Sequence, residues 1–236
     1  MLTNRAITSS ASGRLVFVGA KTHTMAGTTS NVTVSLTNLT GGSNSAPQAG
    51  DLVIVYFGTG SDFNRDLTIS GYTELIELFG LDAGIKTNMV VAYKFMTATP
   101  DTSFTITGGT QNSSDAGAVA VHVWRNAATP TLAGTTEESD TLRPTPADAT
   151  PTVSGSVVLI GAAGGYADVT QLYGSNDLLL GFVSAGSQDS YDSVVGLGYL
   201  EWTSGTIDPR RFFLSPGVAA ESSCSCASAT VIVRPT

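Results

Sequence analysis

The stretch that decides the fold is Asp51-Leu52-Val53-Ile54-Val55, in which four aliphatic residues follow a single carboxylate. A second apolar run, Met89-Val90-Val91-Ala92-Tyr93, begins 38 residues later. Short runs of this kind, rich in β-branched residues and bounded by turn residues, are typical of buried β-strands. These two runs therefore predict two buried β-strands.

Similar runs recur along the whole chain, and they are separated by segments rich in Gly, Asn, Asp, Ser and Pro, which favour turns. The predicted strands are Leu15–Ala20, Asn31–Thr37, Asp51–Phe57, Glu74–Phe79, Asn88–Met96, Ser103–Thr107, Ala116–Trp124, Ser156–Ala163, Asp177–Ser184, Ser193–Trp202 and Ala229–Val233. A long loop is predicted over Thr135–Gly155. Without helices to serve as crossovers the strands pair antiparallel, so we expect an all-β fold, either a β-sandwich or a jelly roll.

The chain also contains a faint internal repeat. The run Ser156-Val157-Val158-Leu159-Ile160 is again followed 38 residues later by a second apolar run, Val194–Tyr199, and Ala118–Arg125 is mirrored by Ala227–Arg234. We therefore predict two pseudo-repeated halves, residues 50–142 and 143–236, with residues 1–49 forming an N-terminal arm and first strands packed on the main body in one compact unit. Chance similarity between β-rich segments is the alternative, because strand patterns carry little information.

Composition excludes several classes of protein. The chain has 236 residues, of which 42% are hydrophobic and 13% charged, so it is too apolar and too weakly charged to be disordered. Its formal net charge of −8 does not favour nucleic acid or anionic membranes as partners. It has no apolar run of about 18 residues and no signal-peptide pattern near Met1, so we expect a soluble protein made in a cytoplasm.

No motif of a known catalytic site is present, and we predict that the protein is not an enzyme and has no metal or cofactor. His122 alternates with Val121 and Val123, so it is expected on the more polar face of a sheet, and His23 is expected in a turn or at a strand end. The acidic segments 137–140, 62–66 and 189–192 are interpreted as solvated loops, with a calcium loop at 62–66 as the alternative. Cys224 and Cys226 are expected to be small buried thiols.

Two segments are candidates for contacts between subunits. Arg5 lies in the N-terminal arm, which could add a strand to the sheet of a neighbouring subunit. Arg211, Phe212 and Phe213 follow a turn at Asp208-Pro209, and they combine a cation with aromatic rings, which are enriched at interfaces. The alternative is that the two phenylalanines cap the core under a loop.

Several short motifs, spread from about Gly50 to the end of the chain, resemble those of a loose group of tailed-bacteriophage and prophage virion proteins. These motifs are Pro47-Gln48-Ala49-Gly50-Asp51-Leu52-Val53, Gly71-Tyr72-Thr73-Glu74-Leu75, Tyr93-Lys94, Ala116–Asn126 and Ala229–Pro235. Tyr72 stands where many relatives carry Trp. The resemblance implies a β-sandwich or jelly-roll component of a phage particle, such as a capsid cement or decoration protein, a head fibre or a tail-tip element, and it implies no catalytic residue.

We therefore expect a non-enzymatic structural protein of the virion: a capsid cement or decoration protein that binds copies of itself and the major capsid or other virion proteins. A trimer is expected by analogy with cement proteins as a class. The alternative is a receptor-binding or carbohydrate-binding module at a tail or fibre tip that recognises a glycan on the host surface. That module would use clustered exposed aromatic residues, for which the candidates are Tyr166, Tyr173, Tyr191 and Trp202.

Overall fold

The structure is a computed structural model that describes residues 13–25, 31–61, 63–80, 86–107, 116–139, 143–166, 172–175, 177–187, 192–215 and 225–236. Within these residues the chain forms fifteen strands and no helix. The strands are β1 (Val16–Met25), β2 (Asn31–Ser35), β3 (Leu52–Ser61), β4 (Thr68–Ile69), β5 (Thr73–Gly80), β6 (Lys86–Phe95), β7 (Ser103–Thr107), β8 (Gly117–Arg125), β9 (Thr131–Ser139), β10 (Val157–Tyr166), β11 (Leu172–Ser175), β12 (Leu180–Ser187), β13 (Asp192–Glu201), β14 (Phe212–Ser215) and β15 (Ser225–Val233).

The described strands form two large sheets and two small ones. The first large sheet has the order β1-β8-β3-β6-β5 and the second has the order β12-β13-β10-β15-β9. Strands β2, β7 and β4 form a three-stranded sheet, and β11 pairs with β14. All of these pairings are antiparallel, so the predicted all-β antiparallel fold class is confirmed.

The sheets are stacked in layers with an apolar core between each pair. The inner core lies between the two large sheets and contains Ile54 of β3 and Leu159 of β10. A first outer core lies between the first large sheet and the three-stranded sheet, and a second lies between the second large sheet and β11–β14. Each large sheet is thus covered on both faces. The other large sheet covers its inner face, and one of the small sheets covers its outer face.

This layering explains the apolar run Leu52-Val53-Ile54-Val55. All ten residues of β3 are buried. Val53 and Val55 pack in the first outer core, whereas Ile54 and Tyr56 pack in the inner core, since successive side chains of a strand point to opposite faces. A continuous apolar run is therefore the pattern that a central strand covered on both faces requires.

The two large sheets have matching strand orders. In the first sheet the central strand β3 lies between β8 and β6, and in the second the central strand β10 lies between β15 and β13. The flanking strands correspond as well, with β1 and β9 at one edge and β5 and β12 at the other. The origin of the two halves as copies of one repeat, the boundaries at 49/50 and 142/143 and the jelly-roll assignment stay predictions.

An aromatic ring fills the inner core near the middle of its two central strands. Tyr56 of β3 crosses it and donates a hydrogen bond from its hydroxyl to the carbonyl of Ala229, 3.2 Å away. The ring lies directly on the backbone of Gly161 in β10, where a Cβ atom would come within 2.4 Å of the ring. Because no side chain separates the sheets at Gly161, the ring of Tyr56 fills the space that the glycine leaves.

Every predicted strand has a counterpart in the structure, but four observed strands were not predicted. The predicted loop Thr135–Gly155 is wrong over its first residues, because β9 extends to Ser139 and pairs with β15. Strands β4, β11 and β14 are only two to four residues long, too short to show a pattern of alternation. Within the described part of the chain, no helix is long and apolar enough to span a membrane.

Candidate functional site

The central histidine, His122, is buried and hydrogen-bonded within the fold, so it is not accessible as a catalytic group. His122 of β8 is fully buried, so its predicted position on a polar face is wrong. Its Nε2 lies 2.9 Å from the carbonyl oxygen of Gly181, to which it donates, and its ring lies against Phe17 at a centroid distance of 5.0 Å. Burial lowers the pKa of His122 to about 3, so the imidazole is neutral at physiological pH. His23 lies inside β1 and is half-buried.

The acidic residues also have structural roles. Glu137 and Glu138 lie in β9 rather than in a loop, so that part of the prediction is wrong. The Glu137 carboxylate accepts a hydrogen bond from the backbone amide of Phe79, and that of Glu138 accepts one from Thr145. Asp62, Asp140, Asp189 and Cys224 lie outside the described residues, whereas Cys226 is buried in β15. Among the residues that are described, no three His, Cys, Asp or Glu side chains are grouped as a metal site would need.

A cleft opens at one end of the inner core, where the first residues of β1 and β10 meet the last residues of β8 and β13. Its volume is about 400 Å³, which is within the range of small-ligand sites. The side chains that give the cleft its chemical character are Arg14, Phe17, Trp124, Tyr199, Glu201 and Trp202. The cleft is thus formed jointly by the two large sheets.

Aromatic rings form the floor of the cleft. The Trp124 and Tyr199 rings are 4.7 Å apart and almost perpendicular, and Phe17 packs on both at 5.1 and 5.3 Å. Trp124 is 2% exposed, and its Nε1 has no hydrogen-bond partner among the described residues. A buried indole N–H without an acceptor is costly, so this group lowers the stability of the fold.

The rim of the cleft is polar and carries both signs of charge. Arg14 and Glu201 are exposed, and Trp202 is half-buried with its Nε1 donating to the carbonyl of Gly205. Burial, together with the nearby Glu201 carboxylate, raises the pKa of Tyr199, so its hydroxyl stays protonated. An aromatic floor with a few polar groups at the rim suits a ligand that has both an apolar face and hydroxyl groups.

The residues predicted as subunit contacts do not come together at this cleft. Arg5 lies outside the described residues. Phe212 is 1% exposed and packs in the second outer core, whereas Phe213 is half-buried against Gly174. Arg211 is exposed, and its Nε donates to the hydroxyl of Thr145 at 3.0 Å. Phe212 therefore packs on the core, as the alternative interpretation expected, although it does so from a strand.

Of the aromatic residues predicted for glycan recognition, one lies at the cleft. Trp202 lines it, but Tyr173 is 2% exposed in the second outer core, so its predicted exposure is wrong. Tyr191 and the side chain of Tyr166 lie outside what the structure describes. Phe17, Trp124 and Tyr199 were missed because each sits in a strand pattern that indicates only burial. No protein-family model, curated protein or solved structure matches this chain.

Proposed function

We propose that the protein is a non-enzymatic structural component of a tailed-bacteriophage particle, acting as a capsid cement or decoration protein in the virion. The first of the motifs that resemble phage virion proteins has a structural role here. Gly50 adopts a positive φ of 81° in the turn before β3, and the next residue, Asp51, is fully buried and held by Arg125. The resemblance thus lies in the residues that build the scaffold.

The observation that carries the proposal is that four side chains which a catalytic site could use are engaged in contacts within the fold. His122 is buried and neutral, Asp51 is paired with Arg125, and the carboxylates of Glu137 and Glu138 accept hydrogen bonds from backbone amides. What the fold offers to a partner is therefore sheet edges, hydroxyl-rich loops and the cleft. Such surfaces support adhesion better than they support bond breaking.

Adhesion would use the edges of the large sheets and the exposed apolar side chains near them. Leu178 is 92% exposed just before the edge strand β12, and Leu180 within that strand is 45% exposed. An edge strand can add a strand from a partner through main-chain hydrogen bonds. Repeated over a lattice of subunits, contacts that are modest one by one add up to firm attachment.

Two measurements on the purified chain test this proposal. Light scattering should give an oligomer, with a trimer as the expected state, and sedimentation with emptied capsids should show stoichiometric binding. A Leu178→Ser, Leu180→Ser variant should bind capsids less tightly, while Phe63→Ser, which removes an exposed apolar side chain elsewhere, should not. A protein that stays monomeric and does not sediment with capsids would contradict the proposal.

A second candidate function is glycan recognition at a tail or fibre tip, and the aromatic cleft is the observation that favours it. Trp202, which is half-buried at the rim, has a ring on which the apolar face of a sugar can pack, while Arg14 and Glu201 can bind its hydroxyls. The test is a glycan array followed by titration of any glycan that binds. Trp202→Ala should abolish this binding, whereas Phe63→Ala, at another partly exposed aromatic residue, should leave it unchanged. An array without any bound glycan would exclude this function.

A further inference from the structure

The matching registers of the two large sheets identify equivalent positions in them. Leu52 of β3 pairs with Trp124 of β8, and Val157 of β10 pairs with Val233 of β15. The residues one step outside these pairs therefore correspond, so that Asp51 is equivalent to Ser156 and Arg125 is equivalent to Arg234. Both pairs lie at the end of a central strand, on the outer face of their sheet.

In the first sheet this position holds a carboxylate whose two oxygens both accept hydrogen bonds. Arg125 binds Asp51 with two nitrogens, Nε at 2.8 Å from one carboxylate oxygen and Nη2 at 2.9 Å from the other. The backbone amide of Gln48 donates to the same carboxylate at 2.8 Å. Two parallel N–H···O bonds are the geometry with which a guanidinium recognises a carboxylate most strongly.

In the second sheet the turn is retained but the carboxylate is missing. The backbone amide of Ser156 donates to the Val153 carbonyl at 3.2 Å, as that of Asp51 does to Gln48 at 3.0 Å. The Ser156 hydroxyl also donates to the Val153 carbonyl, at 2.6 Å. Arg234 is exposed and has no carboxylate within ion-pair distance among the described residues.

A groove marks the place where the carboxylate is missing. It has a volume of about 120 Å³ and is lined by Arg234 and Ser156 together with the threonines 131, 150 and 152. This volume is well above the ~15 Å³ that a single water needs. Arginine and threonine side chains supply N–H and O–H donors, which is the chemistry that an anionic oxygen group requires.

We propose that this groove binds a carboxylate group supplied from outside the fold, with Arg234 as the residue that recognises it. The carboxylate takes the role that Asp51 has in the first sheet. Its source is either a free organic acid or an acidic side chain of a second copy of this chain, which carries 19 Asp and Glu residues. The proposal does not rest on the virion function, because it concerns only the purified chain and an anion.

The first experiment follows the Nε–H signal of Arg234 by NMR while acetate is added to the full chain. The signal should shift and saturate, and in an Arg234→Gln variant the affinity measured on neighbouring amides should fall by at least about tenfold. Arg210→Gln removes an exposed guanidinium elsewhere and should leave the affinity unchanged. A lack of response of Arg234, or equal affinities in wild type and Arg234→Gln, overturns the proposal.

A second variant fills the groove from within. Ser156→Asp places a carboxylate where Asp51 stands in the first sheet, so it should compete with acetate and abolish the response of Arg234. Acetate binding as tight as in the wild type would overturn the equivalence on which the site rests.

Sedimentation velocity over a range of concentrations then identifies the source of the carboxylate. If a second copy supplies it, Arg234→Gln and Ser156→Asp both weaken self-association, while Arg210→Gln does not. If self-association is unchanged while acetate binding is lost, the groove takes a free organic acid. Capsid binding measured on the same variants is a separate readout, so failure of the virion proposal can be told apart from failure of the groove.

Discussion

The two large sheets have the same order of strands, yet they carry different side chains at equivalent positions. Tyr56 in the centre of β3 corresponds to Gly161 in β10, and the two face each other across the inner core. Asp51 corresponds to Ser156 in the same way. The backbone pairing therefore sets the strand order in both sheets. The two inner faces fit together because a large residue on one sheet meets a small residue on the other.

The largest effect is expected when this complementarity is broken. Tyr56→Ala removes a fully buried ring and its hydrogen bond to Ala229, and it leaves a cavity over Gly161. We expect a loss of about 3–5 kcal/mol in the free energy of unfolding, measured by chemical denaturation.

A double-mutant cycle sharpens this test. Gly161→Ala alone should cost about 1–3 kcal/mol, because the new methyl group would strike the ring of Tyr56. The same substitution in the Tyr56→Ala background should cost much less, since the ring is gone. Additive effects of the two substitutions would show that Tyr56 and Gly161 do not depend on each other.

A smaller effect is expected at the ends of the central strands. Asp51→Asn leaves Arg125 without its charged partner and replaces one of the two buried acceptor oxygens by an amide group that only donates. We therefore expect a loss of about 2–3 kcal/mol in the free energy of unfolding. Ser156→Ala, the matched change in the second sheet, removes one hydrogen bond and should cost about 1 kcal/mol. Equal losses of unfolding free energy in the two variants would contradict the expected difference between Asp51 and Ser156.

The pH dependence of stability gives a third comparison, because His122 in β8 is equivalent to Val231 in β15. Burial lowers the pKa of His122 to about 3, whereas the unfolded chain has the ordinary value near 6.5. Below pH 6.5 the unfolded state therefore binds a proton that the folded state does not, and stability falls as the pH falls. The expected loss between pH 6.5 and 5 is about 2 kcal/mol.

The variant His122→Gln isolates this contribution, since the amide can still donate to the carbonyl of Gly181 but does not titrate. Chemical denaturation of both proteins from pH 7 to 5 should show a slope that is steeper in the wild type. Parallel curves would contradict this prediction, because they would mean that His122 has the same pKa in the folded and unfolded states.

The smallest effect is expected at Lys94, which is equivalent to Leu200 in the second sheet. Its Nζ lies 2.5 Å from the Asp101 carboxylate, and the two side chains are 25% and 33% exposed. Because solvent weakens ion pairs of this kind, Lys94→Leu should change the free energy of unfolding by less than about 1 kcal/mol. A loss above about 2 kcal/mol would show that this pair is part of the support for the first outer core.

Much of the strand content could be predicted from the sequence, because alternation and apolar runs are local signals. Strand β9 could not, since its sequence Thr131–Ser139 is polar and resembles a loop. It is an edge strand, and its pairing with β15 supplies the order that its own residues do not specify. The candidate cleft was predicted only at Trp202, because Phe17, Trp124 and Tyr199 meet through packing between distant strands.

The amino-acid sequence by itself determined that this is an all-β chain of short antiparallel strands, because strand patterns follow from neighbouring residues along one strand. Only the tertiary structure decided which faces meet. The burial of His122, the contact of Tyr56 with Gly161 and the missing carboxylate beside Arg234 all depend on the distance between two sheets and on their registers. Those quantities belong to pairs of strands far apart in the chain, so no local pattern of residues records them.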